Sequence, residues 1–172
     1  MSQVKELNID SSLLKRAKKG DIEAIKQMFA PFIGPDSIQR AECFGKYGAF
    51  LKTYSFVCLT DKKIAVLEYG PFSKFIYQDA FVEDINSGII YRPSVTPLYI
   101  IGTLLCLTIV GILLLNGWIR LYYSLNKSGM VWSVREGISV YAFANRSKIN
   151  EVTNFWRLTS VARGQRKMVF KV

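Results

Sequence analysis

Histidine is absent from the sequence. That removes the commonest general base, the Ser–His and Cys–His nucleophile pairs, and every His-containing metal site. Cysteine is scarce and unpatterned. Cys43, Cys58 and Cys106 form no CxxC pair, which fits a reducing compartment without a disulfide framework. Cys43 and Cys58 fall in expected strands, where cysteine acts as a small buried hydrophobe. Walker and dinucleotide fingerprints are missing, and the twelve glycines are scattered at turns. The opening MSQVKELNIDSSLLKRAKKGD has no apolar h-region, so no signal peptide is expected and most of the protein is placed in the cytoplasm. Acidic residues are few beyond the middle of the chain. Residues 96–172 hold two Asp/Glu against ten Lys/Arg, whereas residues 1–95 hold 11 against 13, within a net charge of +10. Asp79, Glu83 and Asp84 are the acids that general acid–base work or a hard cation would use. At strand edges and turns such residues are read as structural or solvated. No enzymatic activity, cofactor or metal is expected.

One feature is in excess. No charged residue occurs between Arg92 and Arg120, and Leu98–Leu115 reads LYIIGTLLCLTIVGILLL. At ~1.5 Å per residue the charge-free stretch is ~40 Å long as a helix, against ~30 Å of bilayer hydrocarbon. The length predicts a membrane segment over 94–125. Leu98, Ile100, Ile101, Leu104, Leu105, Leu107, Ile109, Val110, Ile112, Leu113, Leu114 and Leu115 would be embedded in it. Tyr99, Trp118, Arg120, Tyr122 and Tyr123 would lie at the interface, with Arg120 snorkelling. A single span would part the strands before it from those after it and export some 95 folded residues. A re-entrant helical hairpin turning near Gly111 or Asn116–Gly117 is therefore preferred. The basic C-terminal part would face anionic lipid headgroups, at about 1 kcal/mol per basic residue near the surface. Nucleic acid is the poorer reading, because no recognition motif accompanies the charge.

The rest of the chain reads as α+β. Residues 1–35 hold an N-terminal helical hairpin. Ser11 or Ser12 caps the first helix and Gly20 ends it, while Asp21 caps a second that carries Ile22, Ile25, Met28, Phe29 and Phe32 at helical spacing. LLKRAKKGDIEAIKQMF resembles the helix-Gly-Asp-helix opening of extracytoplasmic sigma factors. Nothing later resembles their DNA-reading helices, so the segment is read as a packing hairpin. Residues 36–93 give five short strands: SIQRAECFG, AFLKTYSFVCLT, KIAVLEYG, SKFIYQDA and FVEDINSGIIYR. The polar TDKK turn and Gly70-Pro71 punctuate them. Within 126–172, MVWSVRE and ISVYAFA give two more strands. SKINEVTNFWRLTSVARGQRK then gives an amphipathic helix capped near Ser147, with Ile149, Val152, Trp156 and Thr159 or Ser160 on one face.

Seven antiparallel strands followed by a C-terminal helix resemble the pleckstrin-homology-like (PH-like) superfold. FVCLTDKKI, from Phe56 to Ile64, is similar to the strand-turn-strand of bacterial PH-like domains, and FVEDINSG to a later acidic stretch. GKYGAFLKTYSF is similar to uncharacterised cyanobacterial membrane proteins. The resemblance implies an antiparallel β-barrel with a membrane segment inserted, serving as a binding scaffold. Lys46, Lys52, Lys62, Lys63 and Lys74 are its candidate headgroup or partner contacts. On the C-terminal helix the candidates are Trp156, Arg157, Arg163, Arg166 and Lys167. The expected function is a non-enzymatic, membrane-anchored module that recruits or stabilises a protein complex at the cytoplasmic face of a plasma or thylakoid membrane. The alternative is a small structural subunit of a membrane complex, photosynthetic or otherwise.

Overall fold

The computed structural model describes residues 10–34, 36–48, 52–72, 74–135, 137 and 139–169, with side chains through Gln165. Helices α1 (Ser11–Lys18) and α2 (Ile22–Ile33) open the chain. Asp21 caps α2 as expected, its carboxylate accepting from Glu23 N at 3.1 Å and Ala24 N at 3.2 Å. The cap of α1 is Asp10 rather than Ser11 or Ser12; its carboxylate accepts from Ser12 N at 3.1 Å.

Strands β1 (Ile38–Tyr47), β2 (Thr53–Thr60), β3 (Lys63–Tyr69) and β4 (Phe75–Phe81) form one antiparallel sheet in that order. Strands β5 (Ile85–Tyr91), β6 (Ser128–Val134) and β7 (Ser139–Ala144) form a second. The TDKK turn closes on the side chain of Thr60, whose Oγ1 accepts from Lys62 N and Lys63 N. The first sheet is covered on both faces, which is why β2 and β3 read as nearly continuous apolar runs instead of alternating. Phe56, Cys58, Ala65 and Leu67 pack against Ile25, Met28 and Phe29 of the helical pair. Val57, Leu59, Ile64 and Val66 face the other way, toward Met130, Trp132, Val140 and Ala142 of the second sheet. Val152 and Phe155 of α5 (Ile149–Val169) complete that second core. The barrel expected from the resemblance is not closed: the strands stay in two sheets of four and three. Where β1 meets β7, Asn145 N donates to Phe44 O at 2.8 Å.

Between β5 and β6 the chain runs out through α3 (Thr96–Cys106) and back through α4 (Ile109–Leu125). These strands pair directly, Tyr91 opposite Gly129 and Ile90 opposite Met130. The inserted segment must therefore return to the sheet edge it leaves. That geometry rules out a single span with strands on opposite sides. It also corrects the membrane expectation, because no helix among the described residues is long and apolar enough to cross a membrane. Eleven residues make ~17 Å of helix and seventeen make ~26 Å, both short of ~30 Å. The integral or monotopic membrane placement at the plasma or thylakoid membrane, and the anchor that went with it, are set aside on this finding.

The break lies at Thr108, ahead of both Gly111 and Asn116–Gly117. Thr108 is extended (φ −128°, ψ 146°) and its Oγ1 caps α4 by accepting from Gly111 N at 2.9 Å. Gly111 is needed for close approach, since a Cβ there would collide with Leu105 O. Asn116 and Gly117 simply continue α4.

Candidate functional site

The α3–α4 hairpin has little core of its own. Apart from Gly111 and Tyr122, no residue of either helix is buried. Leu98, Leu105 and Leu115 are half-buried, while Ile100, Ile101, Leu104, Leu107, Ile109, Val110, Ile112, Leu113 and Leu114 are exposed. Fourteen large apolar side chains from Tyr99 to Leu125 have exposures between 36% and 83%, the highest at Ile109 and Leu113. Between the helices runs an apolar groove of about 360 Å³, lined by Leu98, Tyr99, Gly102, Thr103, Cys106, Leu115 and Ile119. Residues expected at a bilayer interface instead form the root of the hairpin. Tyr122 is buried and donates its hydroxyl to Ser94 O, and its ring meets those of Trp118 and Tyr123. Arg120 is exposed.

At that root a second cleft, also about 360 Å³, opens between the hairpin and the two sheets. Lys46, Tyr47 and Gly48 reach it from the end of β1, and Lys52 from just before β2. Tyr123, Asn126, Lys127 and Ser128 come from the return of the hairpin, and Ala144, Asn145 and Arg146 from the end of β7. Gly45 makes the arrangement possible: at φ +88° it bulges β1 beside Asn145, where a Cβ would come to 3.0 Å of the Asn145 side chain. Two cations lie over rings. Lys127 Nζ is 5.2 Å from the Tyr47 centroid and 4.6 Å from that of Phe143, and the Arg146 guanidinium is 5.7 Å from Tyr123.

Of the five lysines singled out from the sequence, only Lys46 and Lys52 share this cleft. Lys62 pairs with Asp36 at 3.2 Å, and Lys63 with Asp79 at 2.9 Å while sitting over the Phe81 ring. Lys74 is exposed where β4 begins. On α5, Trp156 packs against the inter-sheet core, Arg157 is exposed and Arg163 is half-buried. The side chains of Arg166 and Lys167 lie outside the described residues. Lys127 and Arg146 were missed because the residues that meet are spread from 46 to 146. Only the pairing of β5 with β6, and the approach of β7 to β1, brings them together.

Behind Tyr47 lies Glu68, 8% exposed, which accepts from the Tyr47 hydroxyl at 2.8 Å. Burial pushes its carboxyl above the ordinary 4.5, against the downward pull of the Tyr47 hydrogen bond, Lys127 and Lys74. Burial and the Glu68 charge together hold Tyr47 protonated. Because folded Glu68 keeps its proton to higher pH than the unfolded residue, the native state binds more protons between 4.5 and the raised value. Its contribution to stability therefore falls as pH rises through that window, by at most ~1.4 kcal/mol per pH unit. Glu68→Gln keeps an acceptor for Tyr47 and should remove that slope. Urea unfolding at stepped pH checks it, and an unchanged slope would assign the dependence elsewhere.

Comparison with protein-family models, with curated proteins and with solved structures finds no match to this chain.

Proposed function

We propose that this chain is a non-catalytic interaction module whose β domain presents the α3–α4 hairpin to a protein partner, so recruiting or stabilising a complex. The observation that carries the reading is the exposure of fourteen large apolar side chains on one short hairpin. A helix that is apolar all round belongs in an interior, and exposed apolar patches of this size mark interaction sites. At ~150–250 Å² for a fully exposed large side chain, the patch is on the order of 1,200–2,100 Å², above the ~800 Å² per partner of a standard interface.

The occupant is a different protein, one with apolar helices bordered by carboxylates. Across residues 92–120 the charges are Arg92 and Arg120, both positive. A second copy would bring another +10 to an isologous contact, which opposes self-pairing. The PH-like reading of the β domain belongs to the same proposal. Its support is the order of four strands, three strands and a helix that seals the inter-sheet core. A scaffold of that kind serves many unrelated functions, so the site carries the argument. The absence of catalysis is part of the reading and rests on chemistry: the sequence lacks histidine, and the Cys58 thiol is pushed up to about 12 by burial.

A photo-reactive residue at Leu113 tests the proposal, with the same probe at Leu158 on α5 as the exposed control. In the producing cells, Leu113 should cross-link in stoichiometric yield to one protein, at an uncharged helical segment, and Leu158 should not. Cross-links solely to a second copy, or solely to lipid, would overturn it.

A further inference from the structure

We propose that the cleft at the hairpin root is a binding site for a compact phosphate group carrying two or more negative charges. Lys46, Lys52, Lys127 and Arg146 all line it, and no Asp or Glu does. Lys52 Nζ donates to Gly48 O, and the other three cations repel one another across the cleft unless an anion joins them. Among the described residues, Lys46, Lys127 and Arg146 form no ion pair with a carboxylate. Lys62 and Lys63, outside the cleft, each have an acidic neighbour; what sets the cleft apart is that its cations converge on one cavity with no Asp or Glu in the lining.

The two cations nearest the hairpin are also held in place. Lys127 is bracketed by the Tyr47 and Phe143 rings, and Arg146 stacks toward Tyr123, whose hydroxyl it approaches at 3.4 Å. Ring contacts orient a cation without cancelling its charge as a carboxylate would. Arginine adds a planar fork suited to two phosphate oxygens, and the lysines act as point charges. Asn145 commits its side-chain oxygen to Ser147 N and Oγ, both at 3.1 Å, which leaves its NH₂ end to donate.

Size selects among anions. About 360 Å³ is at the small end of ligand sites, enough for a phosphate, a diphosphate or a small phosphate ester. The carboxylate that feels Lys127 is Glu68, on the far side of Tyr47. Its carboxyl is engaged by the Tyr47 hydroxyl at 2.8 Å and does not line the cleft.

The site is independent of what seats on the apolar hairpin, and its test needs no partner protein. Inorganic pyrophosphate is titrated into the full chain by calorimetry, with ¹⁵N amide spectra recorded in parallel. One site is expected, with shifts at Asn126–Ser128 and Asn145–Arg146. Lys127→Gln and Arg146→Gln should each weaken binding about ten-fold or more, as charge-assisted bonds require. Lys62→Gln removes the same charge outside the cleft and should leave affinity within two-fold. Thermal melts identify any variant that fails to fold, and the amide shifts of the unmodified chain stand regardless of the variants. The same phosphate chemistry is present on a free phosphorylated molecule and on a lipid headgroup. Vesicles of neutral lipid with and without phosphatidate separate them: Lys127-dependent binding that pyrophosphate displaces identifies the headgroup, and pyrophosphate binding alone identifies a free ligand. Equal losses in Lys62→Gln and Lys127→Gln, or shifts confined to other residues, would show general attraction to the +10 chain and overturn the proposal.

Discussion

Trp132→Ala is expected to cost about 3–5 kcal/mol, the range for removing a large aromatic from a packed core. Trp132 is fully buried on β6, the central strand of the second sheet, and meets Phe155 edge-on at 6.2 Å. Phe155 in turn meets Phe44 of β1 at 5.6 Å, so one aromatic row ties both sheets to α5. The loss should appear in urea unfolding as a lower midpoint at similar m-value. Near-ultraviolet and helical circular dichroism should still change together, because α5 has no other core to join. Trp132→Phe should cost much less. It keeps most of the ring and removes an indole N–H that has no acceptor among the described residues. If Trp132→Ala instead left stability within 0.5 kcal/mol, the two sheets and α5 would not share one core.

That row also marks how far local patterning reaches. Alternation put Trp132, Val134, Ile138, Val140, Ala142 and Ala144 on strand faces, and helical spacing put Ile149, Val152 and Trp156 on one helix face. Trp132, Val140, Ala142, Ala144 and Val152 are buried, Val134, Ile149 and Trp156 are half-buried, and Ile138 lies outside the described residues. Asp21, the Thr60 turn and the seven antiparallel strands were likewise legible, because caps, turns and pleats are decided within a few residues. The closed barrel was expected and is not formed: the strands stay in two sheets, because closure depends on pairing between strands far apart in sequence. The membrane segment failed for a related reason. A helical hairpin was expected, turning near Gly111 or Asn116–Gly117, but the hydroxyl of Thr108 caps the second helix earlier, and neither arm is long and apolar enough to cross a membrane. An N-cap inside an apolar run carries little weight in a hydropathy argument. In the folded chain it separates one long helix from two short ones.

The candidate sites divide along the same line. The apolar residues of the hairpin were expected to be embedded in a membrane; the structure instead leaves most of them exposed on two helices, neither long and apolar enough to cross one. The basic cleft was half visible. Lys46 and Lys52 are neighbours of the first strand pair, whereas Lys127 and Arg146 reach the cleft only through the return of the hairpin and the end of β7. Lys62, Lys63 and Lys74 were grouped with them on the PH-like resemblance. Strand geometry sends Lys62 and Lys63 to acids at Asp36 and Asp79 instead.

The hairpin offers the second large effect. Ile109→Glu with Leu113→Glu is expected to weaken the complex with the protein captured through Leu113 by about a hundred-fold or more, since buried anchors of an interface commonly contribute ≥ ~2 kcal/mol each. The two positions are the most exposed large apolar residues of α4, at 83% and 78%, and stand one turn apart on the same face. A carboxylate in either place would enter an apolar partner surface without a counter-charge. The chain itself should hardly notice. Ile109 opens α4 directly after the Thr108 cap, where a negative charge suits the helix dipole. Unfolding should therefore stay within ~0.5 kcal/mol of the unmodified chain, as for surface substitutions generally. Gly111→Val attacks the same function by another route. Its side chain cannot fit beside Leu105 O, so the helices must splay and the groove between them must change shape. Both variants should lose the partner while retaining pyrophosphate binding in the cleft. Loss of the partner in Gly111→Val but not in the double-Glu variant would move the contact from the outer face of α4 into the groove. Retention in both would remove the hairpin from the interface altogether.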